Sequence, residues 1–262
     1  MNQSNAPTVL ITGASSGIGF ELAKLFAADG YRLFITARKS EKFDRAASEL
    51  RPLAQAGVES IADDLADPAA PPRIAAELKN RGVVPDVLVN NAGFGAHGPF
   101  VESDESSQLQ MLQVNVVALT HLTRLLLPGM VARRSGRILN VSSTASFQPG
   151  PYMAVYYASK AYVTSFSQAL GYELRRSNIT VTALCPGPTI TDFQKRAGVE
   201  NSPLFQQNTM TASEVAKLGY AAMQRGHAIA ITGTKNKLLA IAGKFAPRSL
   251  TTKVAGRLNE GR

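Results

Sequence analysis

Tyr156 and Lys160 stand four residues apart in a stretch with helical patterning, so they share one helix face about 6 Å apart along the axis. A free tyrosine titrates near ~10, and a neighbouring ammonium favours the phenolate. Such a pair can move a phenol toward working pH, where it exchanges protons with a substrate. Taken alone, Tyr-x3-Lys is a common surface pair. Thirteen residues before Tyr156, at the end of an apolar run, Ser143 closes the segment Asn140-Val141-Ser142-Ser143. Tyr157 is a rival phenol, but its i+4 neighbour is Ala161.

A second set suits phosphate rather than protons. An apolar run leads into Thr12-Gly13-Ala14-Ser15-Ser16-Gly17-Ile18-Gly19, and a helical pattern follows. Glycines let a backbone turn sharply and approach a pyrophosphate, and the helix N-terminus beyond them offers free N–H groups. The spacing is G-x3-G-x-G, not the G-x-G-x-x-G of the standard dinucleotide fingerprint. Asn90-Asn91-Ala92-Gly93 and Pro186-Gly187 follow other apolar runs, and Asn115 sits in a helical stretch.

Strands are predicted over 8–11, 32–36, 58–62, 87–89, 137–141, 180–184 and 228–231, several of them continuous apolar runs as expected of strands buried on both faces. Helices are predicted over 17–29, 41–56, 69–81, 106–134, 155–177 and 212–225. Thr211 and Glu214 are placed as a capping box for the last, with Gly226 just past its end. Strand–helix alternation implies right-handed crossovers, hence an α/β, doubly wound, seven-stranded and mainly parallel sheet flanked by helices. No internal repeat or linker interrupts it. One domain is expected over 1–262, with a basic, partly helical extension at 233–262.

Jointly, the glycine-rich turn, Asn90-Asn91-Ala92-Gly93, Asn115, Ser143, Tyr156-x3-Lys160 and Pro186-Gly187 resemble the short-chain dehydrogenase/reductase family over about residues 7–233. The resemblance implies a single Rossmann fold and an oxidoreductase that interconverts a ketone and a secondary alcohol. It implies that Tyr156 is the general acid protonating the carbonyl oxygen as hydride arrives. Lys160 would lower the phenol pKa and hold the nicotinamide ribose, Ser143 would bond the substrate oxygen, and Asn115 would position a water beside Lys160. Gly13, Ser15, Ser16, Gly17, Ile18 and Gly19 would cradle the pyrophosphate. Asn91, Ala92, Gly93, Pro186, Gly187, Thr189 and Thr191 would line the cofactor cleft with Tyr156 and Lys160.

An acid closing the second strand usually grips the ribose of a dinucleotide lacking a 2′-phosphate. Here Ala37 holds that position, followed by Arg38 and Lys39. Arg38 offers a planar fork to a phosphate, so NADP(H) is expected over NAD(H). Asp64 and Leu65 stand where the family contacts adenine, and the adjacent Asp63 leaves that register open by one. Tyr152 is either substrate-side lining or packing, and His97 either reaches the cleft or fills a loop. Cys185 reads as a small buried hydrophobe. The stretch 188–210 occupies the family's substrate-loop position and names no substrate.

With 45% hydrophobic and 18% charged residues, the chain is neither disordered nor collagen-like. A single cysteine and three scattered histidines provide no disulfide framework and no metal-ligand cluster, so no metal is expected. No apolar run reaches 18 residues and no charged-then-apolar leader is present, so a cytoplasmic protein is expected. The net charge is +9, but seven cations against Glu260 alone place +6 of it from residue 233 onward. Charge in a tail is no nucleic-acid-binding module.

Pro247 can open a helix there, with Leu250, Val254 and Leu258 on one face and Lys253 and Arg257 on another. The tail could pack on the substrate cleft or a partner subunit, rest weakly on an anionic membrane surface, or fray. Packing is preferred, because a three-residue stripe is thin for membrane residence. In that case the stripe should be buried. The leading reading is an NADPH-dependent reductase of an apolar or 3-oxoacyl-type ketone, expected to be a homo-oligomer, dimer or tetramer; the alternative is a catalytically silent NADP-binding sensor or scaffold of the same fold.

Overall fold

The computed structural model of the chain describes residues 6–199 and 209–260. The predicted runs become β1 (Thr8–Thr12), β2 (Arg32–Ala37), β3 (Val58–Ala62), β4 (Val87–Asn90), β5 (Gly136–Val141) and β6 (Ile179–Cys185). Two short strands follow, β7 (Thr189–Ile190) and β8 (Met210–Thr211), and then β9 (Ile229–Ile231). Seven of these form one sheet in the order β3-β2-β1-β4-β5-β6-β9, and every neighbouring pair is parallel. Val9 stands opposite Leu33 on one side and Val87 on the other. β7 and β8 pair separately.

The helices are α1 (Gly17–Ala28), α2 (Glu41–Leu50), α3 (Ala70–Asn80), α4 (Glu105–Leu112), α5 (Leu119–Ala132), α6 (Ala154–Leu174), α7 (Phe193–Ala197), α8 (Ala212–Gln224), α9 (Thr234–Phe245) and α10 (Arg248–Asn259). Because successive strand residues point to opposite faces, β1 and β4 feed two cores. Val9, Ile11, Val87 and Val89 pack with Leu22 and Phe26 of α1, Phe43 of α2 and Val215 of α8. Leu10 and Leu88 pack with Ile74 of α3, Leu122 and Leu126 of α5 and Leu170 of α6. This double burial is why these runs lack polar alternation.

Three helices differ from expectation. α2 stops at Leu50 rather than at 56, because Pro52 lacks the N–H that a continuing helix needs. The helix expected over 106–134 is interrupted by a π-helical turn, Gln113–Ala118, between α4 and α5. Its span Glu105–Ala132 is long and apolar enough for a membrane, with mean hydropathy 1.4, yet Leu119, Leu122, Leu126 and Met130 are buried. The tail forms two helices where one was foreseen: Gly233, at φ +82°, precedes α9, and Pro247 precedes α10. The capping box of α8 forms in both directions, and Gly226 adopts φ +69° beyond it.

Candidate active site

Strand order reverses between β1 and β4, and in open parallel sheets such a reversal leaves a crevice beyond the strand C-termini. A cavity of about 970 Å³ lies there, running from Gly13 and Arg38 to Leu258 and Asn259. That size accommodates a dinucleotide's reactive end together with a small ligand. Of the site residues expected from sequence, all line it except Gly19 and Asn115.

Those two act from behind the wall. A Cβ on Gly19 would lie 2.3 Å from Asn91 Nδ2 and 2.5 Å from the Gly13 carbonyl oxygen, so only glycine lets α1 approach the β4 loop. Gly13 turns at φ +68°, and its own Cβ would meet the Ala92 backbone at 2.9 Å. Asn91 Nδ2 ties the two loops by donating to the carbonyls of Thr12 and Gly13, at 2.9 and 3.1 Å. Ser16 gives no side-chain cap to α1, so the first N–H groups remain available to an anion at the cavity. These features fit a pyrophosphate cradle. The Asp192 carboxylate, near Ser16, pairs with Lys42.

Exposed Arg38 and Lys39 line the cavity just past Ala37, so the donors there suit a 2′-phosphate. Asp63 is engaged by Arg73, which donates through Nε at 3.0 Å and Nη2 at 2.6 Å. Asp64 takes one bond from the Ala66 N–H at 3.0 Å and is otherwise exposed. That difference makes Asp64, rather than Asp63, the acid open to a ligand.

Ser143 caps the short turn after β5, its Oγ accepting from the Ala145 N–H at 3.1 Å, and its hydroxyl faces the Tyr156 phenol. Lys160 is buried, donating from Nζ to the Val141 carbonyl at 2.9 Å. Its Nζ lies 5.8 Å from the centre of the Tyr156 ring. Burial pushes Tyr156 up to about 12, opposed by the Ser143 hydroxyl, and burial pushes Lys160 down to about 8. Desolvation penalises each charged form, so both groups are held toward their neutral states. Asn115, in the π turn, is buried. Its amide donates to the Phe94 carbonyl at 2.9 Å and to Ser159 Oγ at 3.0 Å, and its Oδ1 accepts from the Phe94 N–H at 3.1 Å. A Cβ on Gly93 would crowd both Asn115 Oδ1, at 2.9 Å, and Lys160 Nζ, at 3.3 Å.

Other expectations resolve as follows. Tyr157 also lines the cavity, but its phenol bonds Asn259 Oδ1 at 3.4 Å rather than Ser143. Cys185 is fully buried, with its thiol pushed up by that burial. His97 reaches the cavity wall, where its Nε2 lies 2.5 Å from the Asn259 carbonyl oxygen. Tyr152 lies outside this wall and donates to Glu260 at 3.3 Å. Of the loop expected over 188–210, residues 200–208 lie outside the described residues.

Several wall residues were not among the site residues expected from sequence. Phe193 of α7 rests against Tyr156, with ring centres 5.2 Å apart. Asn236, Leu239 and Ala240 of α9 and Ala255, Leu258 and Asn259 of α10 also line the cavity. The tail therefore packs on the cleft as preferred, but not through the foreseen face. Ala255 and Asn259 are buried, whereas Leu250, Val254 and Leu258 are 54%, 49% and 41% exposed. Asn259 can satisfy its amide against Pro151 and Tyr157, and small Ala255 permits close approach. Of the larger residues, Leu258 alone reaches the cavity wall, at its rim.

The description of the short chain dehydrogenase family matches residues 7–201. The chain belongs to the short-chain dehydrogenase/reductase family and is an NAD(P)-dependent oxidoreductase of ketones and alcohols. It is 34% identical over 227 residues to a very-long-chain 3-oxoacyl-CoA reductase of Anas platyrhynchos, covering 82% of this chain and 69% of that one. Its fold is similar to that of a short-chain dehydrogenase from Sphingobium yanoikuyae in complex with NADPH, with TM-score 0.81, 33% identity and coverage of 91% and 93%. It is also similar to the bulky-bulky ketone specific alcohol dehydrogenase from Comamonas testosteroni, with TM-score 0.78, 29% identity and coverage of 92% and 93%.

Proposed function

We propose that this protein is an NADPH-dependent reductase converting an apolar or 3-oxoacyl-type ketone to a secondary alcohol. The observation that carries this reading is that Ser143, the Tyr156 phenol and buried Lys160 line the same cavity as Arg38. When bound, the nicotinamide supplies the hydride to the carbonyl carbon. Tyr156 gives its proton to the carbonyl oxygen, and Ser143 donates a hydrogen bond to that oxygen. A phenol held at about 12 keeps its proton at neutral pH, which suits reduction. The glycine turn, Arg38, Asp64 and Lys160 hold the cofactor, with Asn115 fixing the loop beside Lys160.

The substrate end is walled by Phe94, Met153, Tyr157, Phe193, Leu239 and Leu258, which favours an apolar ligand. The names of the relatives, a 3-oxoacyl thioester reductase and a bulky-ketone dehydrogenase, agree with that class. The chain acts as one domain in the cytoplasm, and exposed Leu109, Val117, Leu125 and Tyr162 on α4–α6 support a homo-oligomer, dimer or tetramer. The test is a screen of 3-oxoacyl thioesters and bulky aromatic ketones with NADPH and with NADH. Turnover with NADPH is expected. NADPH binding without turnover of any ketone would favour a silent sensor or scaffold instead.

A further inference from the structure

We propose that the outward face of α9 and α10 docks on an anionic lipid bilayer surface. Leu238, Ile241 and Phe245 recur at helical spacing on α9, opposite buried Ala240, and are 64%, 45% and 86% exposed. On α10, Leu250 and Val254 are 54% and 49% exposed, while Ala255 and Asn259 hold the other side against the cleft. Two consecutive helices thus present one apolar face each, which removes the objection that a single three-residue stripe is too thin. Exposed Lys253 and Arg257 flank the α10 stripe on the side away from its buried face. An amphipathic helix with cations beside an apolar stripe lies in a headgroup boundary, with the apolar residues inserted and the cations at lipid phosphates.

Charge selects the occupant. Residues 233–262 carry seven cations and one acid, so a second copy placed on this face would bring two net-cationic segments together. An anionic bilayer complements it. Leu239 and Leu258 both line the cavity and remain 70% and 41% exposed, so the same two helices also carry part of the cavity rim. The family match ends at residue 201, which places both helices outside the matched region.

The test uses the full chain, vesicles of phosphatidylcholine with and without phosphatidylglycerol, and two double variants, Phe245→Ser with Leu250→Ser and Lys253→Glu with Arg257→Glu. None of these residues lines the cavity. The wild type should co-pellet with the anionic vesicles only, and 1 M salt, where the screening length is about 3 Å, should release it. Each double variant should lower the partition coefficient at least about tenfold, with melting temperature and turnover of a soluble ketone unchanged. Because the two pairs probe apolar and charged contacts separately, misfolding of one leaves the other decisive. The proposal is overturned if the wild type ignores anionic vesicles, or if both folded variants bind as tightly as it does. It is equally overturned if sedimentation shows the apolar pair dissolving a dimer or a complex with an acidic protein while vesicle binding persists.

Discussion

The amide of Asn259, in the last turn of α10, joins the Tyr157 phenol, its Oδ1 accepting at 3.4 Å across 102 residues of chain. Its Nδ2 also donates to the Pro151 carbonyl at 2.9 Å, and the main-chain carbonyl oxygen of Asn259 meets His97. The end of the chain is thereby fastened to the residue beside Tyr156. Asn259→Leu would strand the Pro151 carbonyl and the Tyr157 hydroxyl, a loss of ~1–3 kcal/mol for a buried group left without a partner. The ketone KM should rise while the NADPH Kd, read by cofactor fluorescence, stays unchanged. Equal losses in both would place α10 on the cofactor side as well.

Replacing Tyr156 by Phe keeps the ring against Phe193 and removes the proton. kcat should fall at least ~10²-fold, the lower range for general acid catalysis, with NADPH affinity preserved. Tyr157→Phe should leave kcat within a few-fold, since that phenol bonds Asn259 and not Ser143. Steady-state kinetics of the two variants separate the phenols. Crippling by Tyr157→Phe alone would reassign the acid.

Much of the cofactor half was legible because its signals are local. The glycine turn, Arg38 after β2 and the Tyr156–Lys160 pair each declare themselves within eight residues, and seven strand positions followed from apolar runs to within one residue at either end. The substrate half was not. Phe193, Asn236 and Asn259 reach the cavity from separate elements, and no periodicity marks a residue whose partner lies a hundred positions away. For α10, spacing correctly grouped Leu250, Val254 and Leu258 on one face. Spacing cannot say which face docks, and the polar Asn259 with small Ala255 won over the larger apolar side chains. The burial of both groups was not legible for a related reason: a helix wheel shows the neighbouring ammonium but not the water that folding removes from each.

Arg38 stands exposed on the cavity wall, with Ala37 rather than an acid before it. Charge-assisted hydrogen bonds to phosphate contribute ~1.5–3 kcal/mol each. Arg38→Ala should therefore weaken NADPH roughly 10- to 100-fold and barely alter NADH, as measured by fluorescence titration of both. A parallel loss for the two cofactors would remove the 2′-phosphate from this position.

The depressed Lys160 ammonium makes stability depend on pH with a definite sign. Burial holds it at about 8 against an ordinary 10.5, so between those values the unfolded chain binds a proton that the native protein does not. The resulting penalty on the native state is complete below about pH 8 and is relieved as pH rises toward 10.5, with a slope approaching about 1.4 kcal/mol per pH unit. Tyr156 works in the opposite sense but higher: its pKa rises from 10 to about 12, so its contribution is intact below pH 10 and is lost as pH climbs through 12. Lys160→Met removes the first effect and keeps a side chain of similar length. At pH 7 the variant should be more stable than the wild type, and the gap should narrow steadily from pH 8 to pH 10. The gap between wild type and Tyr156→Phe should stay level over the same interval. Thermal melts at unit pH steps read both, and a Lys160→Met gap that did not change with pH would mean that the ammonium is not desolvated in the folded protein.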